Sequence, residues 1–276
     1  MRLAVTGAAG GLGRAFLAQV PAHHDVHPFS HQDLDIGDHH AIMQTLVPLR
    51  PDAILNFAAF TKVDACESDP ERAFRDNALG AQTLALASRA TGAVLLHVST
   101  DYVFDGAKGS PYHELDPPNP LSVYARSKLA AEAFVRHLTP EHFIVRTGYV
   151  FGAGSDHLSS QLRRLAHGET AAGLSDRVGS PTYVRHLAGQ LLPLILAGRF
   201  GMYHLAGPEP TTWYDVLQRA KRLGDLPGDL VPQRAEELTL PAPRPRDSSL
   251  TSLFARAIGL EPMPPLDAAL VEALGS

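Results

Sequence analysis

The chain is poor in cysteine, and this limits where and how it can work. Cys66 is the single cysteine among 276 residues, so no disulfide can form within the chain. A lone thiol is typical of proteins in a reducing compartment, and no basic and apolar leader precedes the first apolar segment. We therefore expect a cytoplasmic protein.

Other segments that would point to a class of partner are also missing. The formal net charge is −5 at pH 7 and no basic block occurs, so we expect no nucleic-acid partner. The most apolar stretch, residues 187–200, contains Gln190 and Pro193 and is too short to span a bilayer, so we expect no membrane partner. The histidines between residues 23 and 31 lack the cysteines or clustered carboxylates that would complete a tetrahedral set, so we predict no metal site.

What the chain does have is enough apolar sequence, 45% of its residues, to bury a sizeable core. Short apolar runs alternate with helical patterns, which predicts a parallel sheet with helices on both faces. The fold class that we predict is therefore α/β, a Rossmann-type doubly wound parallel sheet. The predicted strands are residues 3–6, 26–29, 53–57, 94–99 and 143–146.

The pattern changes after residue 149. Residues 174–182 are polar and turn-rich, and residues 227–245 are rich in proline without clear periodicity. We expect this part to contribute a small C-terminal substrate-binding cap over the carboxyl edge of the sheet. Helices are predicted at residues 155–167 and 184–197, and a short strand at 201–205. The predicted division assigns residues 1–150, with a returning segment at about 178–205, to dinucleotide binding, and residues 151–177 and 206–276 to the substrate.

A glycine-rich turn separates the first predicted strand from the first helix. Gly7, Gly10 and Gly13 follow a G-x-x-G-x-x-G spacing. Gly7 permits a tight exit from the strand, Gly10 lets the backbone approach a pyrophosphate, and Gly13 lets helix and strand pack closely. Because the turn lies between a strand and a helix, it predicts a dinucleotide site.

A tyrosine and a lysine four residues apart are the most informative pair in the chain. Tyr124 and Lys128 share one face of a predicted helix, so both side chains can reach the same site. A phenol alone titrates near pH ~10, and a neighbouring cation makes its proton easier to release. Thr100, at the end of the fourth strand, would place a hydroxyl beside the phenol. The alternative is an ordinary solvated pair on the helix surface.

Several blocks, taken together, carry a family resemblance that runs nearly end to end. The chain resembles the extended short-chain dehydrogenase/reductases and, within them, the dTDP-4-dehydrorhamnose reductases. The blocks are NFAAFTKVDACE at 56–67, STDYVFDG at 99–106, NPLSVYARSK at 119–128, DRVGSPT at 176–182, GMYHLAG at 201–207 and RPRDSSL at 244–250. The resemblance implies an oxidoreductase of L-rhamnose biosynthesis that uses NADPH to reduce the C4 keto group of dTDP-4-dehydro-L-rhamnose to dTDP-L-rhamnose.

The resemblance also implies roles for individual residues. The catalytic residues would be Thr100, Tyr124 and Lys128. The cofactor-binding residues would be Gly7, Gly10, Gly11, Leu12, Gly13, Ser30, His31, Asp35, Ile36, Ala58, Ala59, Thr61, Asn77, Tyr124 and Lys128. The substrate-binding residues would be Val63, Asp101, Tyr102, Tyr149 and Arg244.

The chain departs from the family pattern at several positions. Ala125 replaces the glycine that usually follows the tyrosine, Tyr149 replaces a tryptophan, and Arg177 replaces a glutamine. Some members bridge a dimer through a metal held by a carboxylate just beyond the glycine loop. Ala15 stands there instead, so we predict no metal at that point, and a homodimer stays open.

The end of the second predicted strand bears on the choice of cofactor. An acid there would bind the adenosine ribose diol and favour NAD. The chain instead has Ser30 and His31, which tolerate a 2′-phosphate. We expect NADPH, with NADH tolerated.

Two other functions remain open at this point. The regulatory subunit of methionine adenosyltransferase shares the fold and some motifs, yet acts as a non-catalytic NADP-binding partner. A sugar-nucleotide epimerase or dehydratase would keep its cofactor through the cycle. A dehydratase usually has an Asp-Glu pair after the threonine, whereas this chain has Asp101-Tyr102.

Overall fold

A computed structural model describes residues 1–154 and 156–275 and contains the predicted parallel sheet. Six parallel strands lie side by side in the order β10-β5-β4-β3-β1-β2. Pro28 is tolerated in β2 because that strand lies at the edge of the sheet. The six strands are β1 (Arg2–Thr6), β2 (Asp25–Phe29), β3 (Ala53–Asn56), β4 (Val94–Thr100), β5 (His142–Thr147) and β10 (Gly201–His204), with β6 to β9 lying between them in the chain.

Helices cover both faces of this sheet, as the alternation predicts. One core contains Leu3 and Val5 of β1 with helices α1 and α8, and the other contains Ala4 with α2, α5 and α6. The residues of β1 divide in this way because successive side chains of a strand point to opposite faces. These helices are α1 (Gly11–Leu17), α2 (His39–Leu49), α5 (Gly80–Thr91), α6 (Val123–Leu138) and α8 (Val184–Ala197), and the short helices α3 (Val63–Ser68) and α4 (Pro70–Ala73) precede α5.

Much of the C-terminal half of the chain packs around a third core. This core joins Phe151, Leu158, Val216 and Leu270, among others. Its elements are β6 (Val150–Phe151), α7 (His157–Ala166), β7 (Ala171–Leu174), β8 (Val178–Gly179), β9 (Thr182–Tyr183), β11 (Thr211–Thr212), α9 (Trp213–Leu223), β12 (Leu230–Gln233) and α10 (Leu266–Leu274). Three two-stranded ribbons link them: β6 with β9, β7 with β12, and β8 with β11.

Most predicted elements agree with the structure to within one or two residues, and helix 184–197 agrees at both ends. The predicted start of the helix at 155–167 lies outside the described residues, and α7 covers residues 157–166 of it. Two segments expected to lack regular structure contain short strands. Residues 174–182 contribute to β8 and β9, and the proline-rich segment contributes β12, whose partner lies almost sixty positions earlier in the chain. Such pairing over a long separation leaves no local periodic signal.

Candidate active site

A cavity of about 260 Å³ lies where β1 and β3 end side by side. Their connections leave in opposite directions, and this is where doubly wound sheets bind ligands. Gly7 leaves β1 with φ of +69°, and a Cβ there would lie 2.5 Å from the amide nitrogen of Ala58. A Cβ on Gly13 would lie 2.4 Å from the Gly7 carbonyl oxygen, so α1 packs closely against the turn that leaves β1. The cavity lining includes Gly7, Ala9, Gly10, His31, Leu34, Asp35, Ile36, Phe57, Ala58, Ala59 and Phe60.

Two acidic residues, Asp33 and Asp35, lie close to the end of β2. The Ser30 hydroxyl donates to the Asp33 carboxylate at 2.6 Å, and the Ser30 amide donates to the same oxygen at 2.9 Å. His31 is largely exposed, and its Nδ1 lies 3.7 Å from Asp35 Oδ1. Asp35 also accepts the Gly37 amide at 2.9 Å. Any phosphate near Ser30 therefore lies close to an acid that sequence reasoning did not consider.

The other predicted cofactor residues divide between the cavity wall and its support. Asn77 is buried, and its side-chain oxygen accepts the Phe60 amide at 2.7 Å while its nitrogen donates to the Ser127 hydroxyl at 2.9 Å. These bonds fix the loop after β3 to α6, so Asn77 lies behind the cavity wall. Leu12 packs against the first and third cores, and Thr61 is exposed. Gly11 lies beside the segment after β6, where its Cβ would be 2.4 Å from that of Ala153.

The structure brings Thr100, Tyr124 and Lys128 together at the end of β4. Ser122 begins α6 by accepting the Ala125 amide at 3.2 Å, and this N-cap sets the helix so that Tyr124 and Lys128 face β4. The Lys128 ammonium nitrogen lies 2.7 Å from the Val98 carbonyl oxygen of β4. All three side chains are buried, so the solvated-pair alternative does not describe this geometry.

Burial controls the proton affinities at this position. It raises the pKa of the Tyr124 phenol above its ordinary value, and a hydrogen bond with Thr100 only partly offsets the shift. Burial also lowers the pKa of the Lys128 ammonium to about 8, although the Glu132 charge opposes this. Tyr124 is therefore protonated at neutral pH and able to donate, and Lys128 changes charge close to neutral pH.

Asp101 connects this cluster to the C-terminal part of the chain. Its carboxylate accepts the Thr100 hydroxyl at 3.0 Å and the Ser248 hydroxyl at 2.5 Å. Burial raises the Asp101 pKa to about 6, although both hydroxyls lower it. Because the Thr100 proton is directed to Asp101, Thr100 must exchange this bond before it can donate to another oxygen.

A second cavity of about 330 Å³ lies beside the cluster, and its lining combines aromatic and basic residues with aliphatic ones such as Leu238 and Leu240. The rings of Tyr149 and Trp213 are stacked at 4.7 Å with an interplanar angle of 1°, and the Trp213 ring also contacts His157. Tyr149 adopts a positive φ of +47°, uncommon for residues other than glycine. Arg177 also lines this cavity, and its buried Nε has no hydrogen-bond partner in the described structure.

Arg244 lines the same cavity, and Asp64 holds its side chain in place. Both of its terminal nitrogens donate to the Asp64 carboxylate, at 3.0 and 2.7 Å, in a two-bond ion pair. Tyr102 joins the cavity to the cluster because it lines the cavity and its ring meets that of Tyr124 edge-on at 6.4 Å. Val63 packs in the same small apolar cluster as these two tyrosines.

Sequence reasoning missed several residues of the site, namely Asp33, Asp64, His157 and Trp213. Trp213 carried one available signal, since it is the only tryptophan in the chain and opens a helix directly after Thr212. Asp64 carried none, because its partner lies 180 residues away.

No three or more His, Cys, Asp or Glu residues within 1–154 and 156–275 come close enough together to hold a metal ion. In the same part of the chain, every helix is too short or too polar to cross a bilayer.

The chain is similar over nearly its full length to proteins of one family. The family profile described as the RmlD substrate binding domain matches residues 1–276. The chain is 39% identical over 280 residues to the dTDP-4-dehydrorhamnose reductase of Streptomyces griseus, covering 98% of this chain and 92% of that protein.

Solved structures are similar over the full length. The dTDP-4-dehydrorhamnose reductase from Clostridium acetobutylicum superimposes with a TM-score of 0.96 at 33% identity, covering 100% of this chain and 99% of the other. The enzyme of that name from Bacillus anthracis, solved in complex with NADP, gives 0.95 at 33% identity, with coverage of 98% and 97%. The chain belongs to the RmlD substrate binding domain family, and its fold is that of the dTDP-4-dehydrorhamnose reductases.

Proposed function

We propose that this protein is an NADPH-dependent reductase of the C4 ketone of dTDP-4-dehydro-L-rhamnose, forming dTDP-L-rhamnose. One observation carries the proposal. A buried tyrosine, threonine and lysine lie together at the end of β4, and the tyrosine packs with Phe60 of the first cavity and with Tyr102 of the second. Relatives that are similar to this chain over nearly their whole length carry the reductase name.

The first cavity suits a dinucleotide. It lies at the switch point of the sheet, where its lining combines glycines and alanines with larger side chains, among them His31, Phe57, Phe60, Arg72 and Asp76. Gly7, Gly10, Ala58 and Ala59 would line the cofactor, and Asp35 with Ile36 would border its adenine end. NADPH supplies a hydride when it is bound there. The complex of the Bacillus anthracis relative with NADP supports this choice of cofactor.

The three clustered residues divide the remaining chemistry. Tyr124 holds a proton at neutral pH and donates it to the oxygen of the reduced ketone, so that no free alkoxide forms. Thr100 turns its hydroxyl from Asp101 toward the same oxygen and orients it. Lys128 binds hydroxyl groups of the cofactor beside Tyr124 and, in its cationic form, stabilises the phenolate form of Tyr124.

The second cavity suits a nucleotide sugar. The Tyr149–Trp213 stack would offer an apolar wall for a base. A diphosphate would have to displace Asp176 from Arg177 and Asp64 from Arg244 to reach their guanidinium groups. Tyr102 and Val63 would contact the sugar near Tyr124. We accordingly propose residues 151–177 and 206–276 as the substrate-binding region and residues 1–150 with 178–205 as the dinucleotide-binding region. A cytoplasmic location and a homodimer stay predictions.

One assay tests the proposal against its alternatives. The protein is incubated with NADPH and enzymatically prepared dTDP-4-dehydro-L-rhamnose, NADPH loss is followed by absorbance, and the product is identified by NMR. Stoichiometric NADPH loss with formation of dTDP-L-rhamnose is expected. Tightly retained NAD without net consumption would support an epimerase or dehydratase. No turnover of any keto sugar, with co-purification of a methionine adenosyltransferase, would support the regulatory subunit.

A further inference from the structure

A chain of four buried polar side chains runs beneath the cofactor cavity and ends at Lys128. The Thr6 hydroxyl lies 2.8 Å from Asn56 Oδ1, Asn56 Nδ2 lies 2.9 Å from His97 Nδ1, and His97 Nε2 lies 3.3 Å from Lys128 Nζ. Thr6, Asn56 and His97 are register partners on the neighbouring strands β1, β3 and β4. The reaction proposed above uses only the last member of this chain.

The backbone fixes the direction of these hydrogen bonds. The Ala58 amide donates to Asn56 Oδ1 at 3.1 Å, and an amide N–H can only donate. The oxygen of the Asn56 side chain is therefore identified, and its nitrogen must face His97. Because that nitrogen donates to Nδ1, the neutral His97 ring carries its proton on Nε2. The ring thus presents an N–H, not a lone pair, to Lys128.

This tautomer has a consequence for the charge of Lys128. An ammonium group has three donors and no acceptor, so it cannot accept the His97 N–H. A neutral amine can accept that N–H while it still donates to the Val98 carbonyl oxygen. Among the described residues, the charge that acts on Lys128 is that of Glu132 on α6, and the Glu132 carboxylate is paired with Arg146 of β5. From β1 and β3 the contributing groups are the neutral Thr6 and Asn56.

We propose that His97 is a positioning residue whose fixed Nε2–H donates to the Lys128 amine and makes Lys128 an exchangeable proton carrier instead of a permanent cation. Each reduction consumes one proton, which Tyr124 delivers. To restore Tyr124, the Lys128 ammonium gives up a proton, and the electron pair left on Nζ accepts the His97 N–H. Uptake of a proton from water then restores the ammonium and breaks that bond.

The tautomer is tested on the wild-type protein without substrate. The full chain is labelled with ¹⁵N-histidine, and long-range ¹H–¹⁵N spectra identify His97 as the ring absent from His97→Phe. The expected result is a ring protonated on Nε2 and not on Nδ1. A ring protonated on Nδ1, or on both nitrogens, would overturn the inference. This readout does not depend on the proposed function, and the His97→Phe variant serves only to assign the His97 signals.

Asn56→Asp then tests the connection to Lys128. A carboxylate cannot donate to Nδ1, so the His97 proton is expected to move to Nδ1 and Nε2 to become an acceptor for the ammonium. The pH above which NADPH binding weakens, which reports loss of the Lys128 charge, should rise by about one unit or more. The alkaline limb of kcat/KM should move in the same direction.

The double variant Asn56→Asp/His97→Phe separates the ring from the added charge. The inference predicts that the alkaline shift is lost, because the ring no longer links the two residues. A shift retained in the double variant, or a His97 ring that keeps its proton on Nε2 in Asn56→Asp, would contradict it. The NADPH titrations keep this decision separate from the proposed function, which fails only if no keto sugar is reduced.

Discussion

The buried carboxylate of Asp101 should make the free energy of unfolding depend on pH. Burial raises its pKa from 3.8 to about 6, so the folded state holds this proton more tightly than the unfolded chain does. The shift is about two units at 1.36 kcal/mol each, or about 3 kcal/mol. Because the folded pKa is the higher one, this contribution to stability is complete below the unfolded value and is lost as the pH rises to about 6.

Asp101→Asn removes the charge and therefore this pH dependence. The free energy of unfolding is measured by urea denaturation at about pH 4 and about pH 7 for wild type and variant. Between these pH values the variant should gain about 2 kcal/mol relative to wild type, because pH 4 already lies slightly above the unfolded pKa. The hydrogen bonds that the amide changes alter the free energy of unfolding by the same amount at both pH values, so their effect cancels in this comparison. Turnover should fall, since Thr100 loses its charged partner.

The exposed residue Asp229 provides the matched control, and Asp229→Asn should leave the pH dependence of unfolding unchanged. If the difference between Asp101→Asn and wild type is the same at both pH values, Asp101 does not carry a raised pKa and the reasoning from burial fails.

Two further predictions concern the aromatic cavity and the core. Trp213→Ala should raise KM for the nucleotide sugar about 2- to 10-fold with little change in the dissociation constant of NADPH, because one stacked aromatic pair contributes about 0.5–1.5 kcal/mol. Trp213→Phe should restore most of the lost affinity. An unchanged KM in Trp213→Ala would exclude this wall as the base site. Glu132→Gln should reduce the free energy of unfolding by about 3–5 kcal/mol in urea titrations, because it leaves the buried Arg146 without its charged partner. A reduction below about 1 kcal/mol would show that the ion pair is not desolvated.

The sequence predicted those parts of the molecule that local spacing determines. The glycine turn, the alternation of strands and helices, and the placement of Tyr124 and Lys128 on one helix face all follow from contacts within a few residues. The pairing of β12 with β7 and the stack of Tyr149 on Trp213 join segments that are distant in sequence, so no local pattern predicts them.

His97 illustrates a different limit. It lies within an apolar strand, and nothing in its neighbours in sequence distinguishes a hydrogen-bonded histidine from a core residue. Its partners, Asn56 and Lys128, lie on other elements 41 and 31 residues away. Only the register of the sheet brings the three together.

The central claim is that Tyr124 delivers the proton during reduction of a nucleotide-linked ketone. Tyr124→Phe removes only the hydroxyl, so the dissociation constant of NADPH should stay near the wild-type value while kcat for dTDP-4-dehydro-L-rhamnose falls about 10²- to 10⁴-fold. A variant that binds NADPH normally and turns over at the wild-type rate would contradict the account.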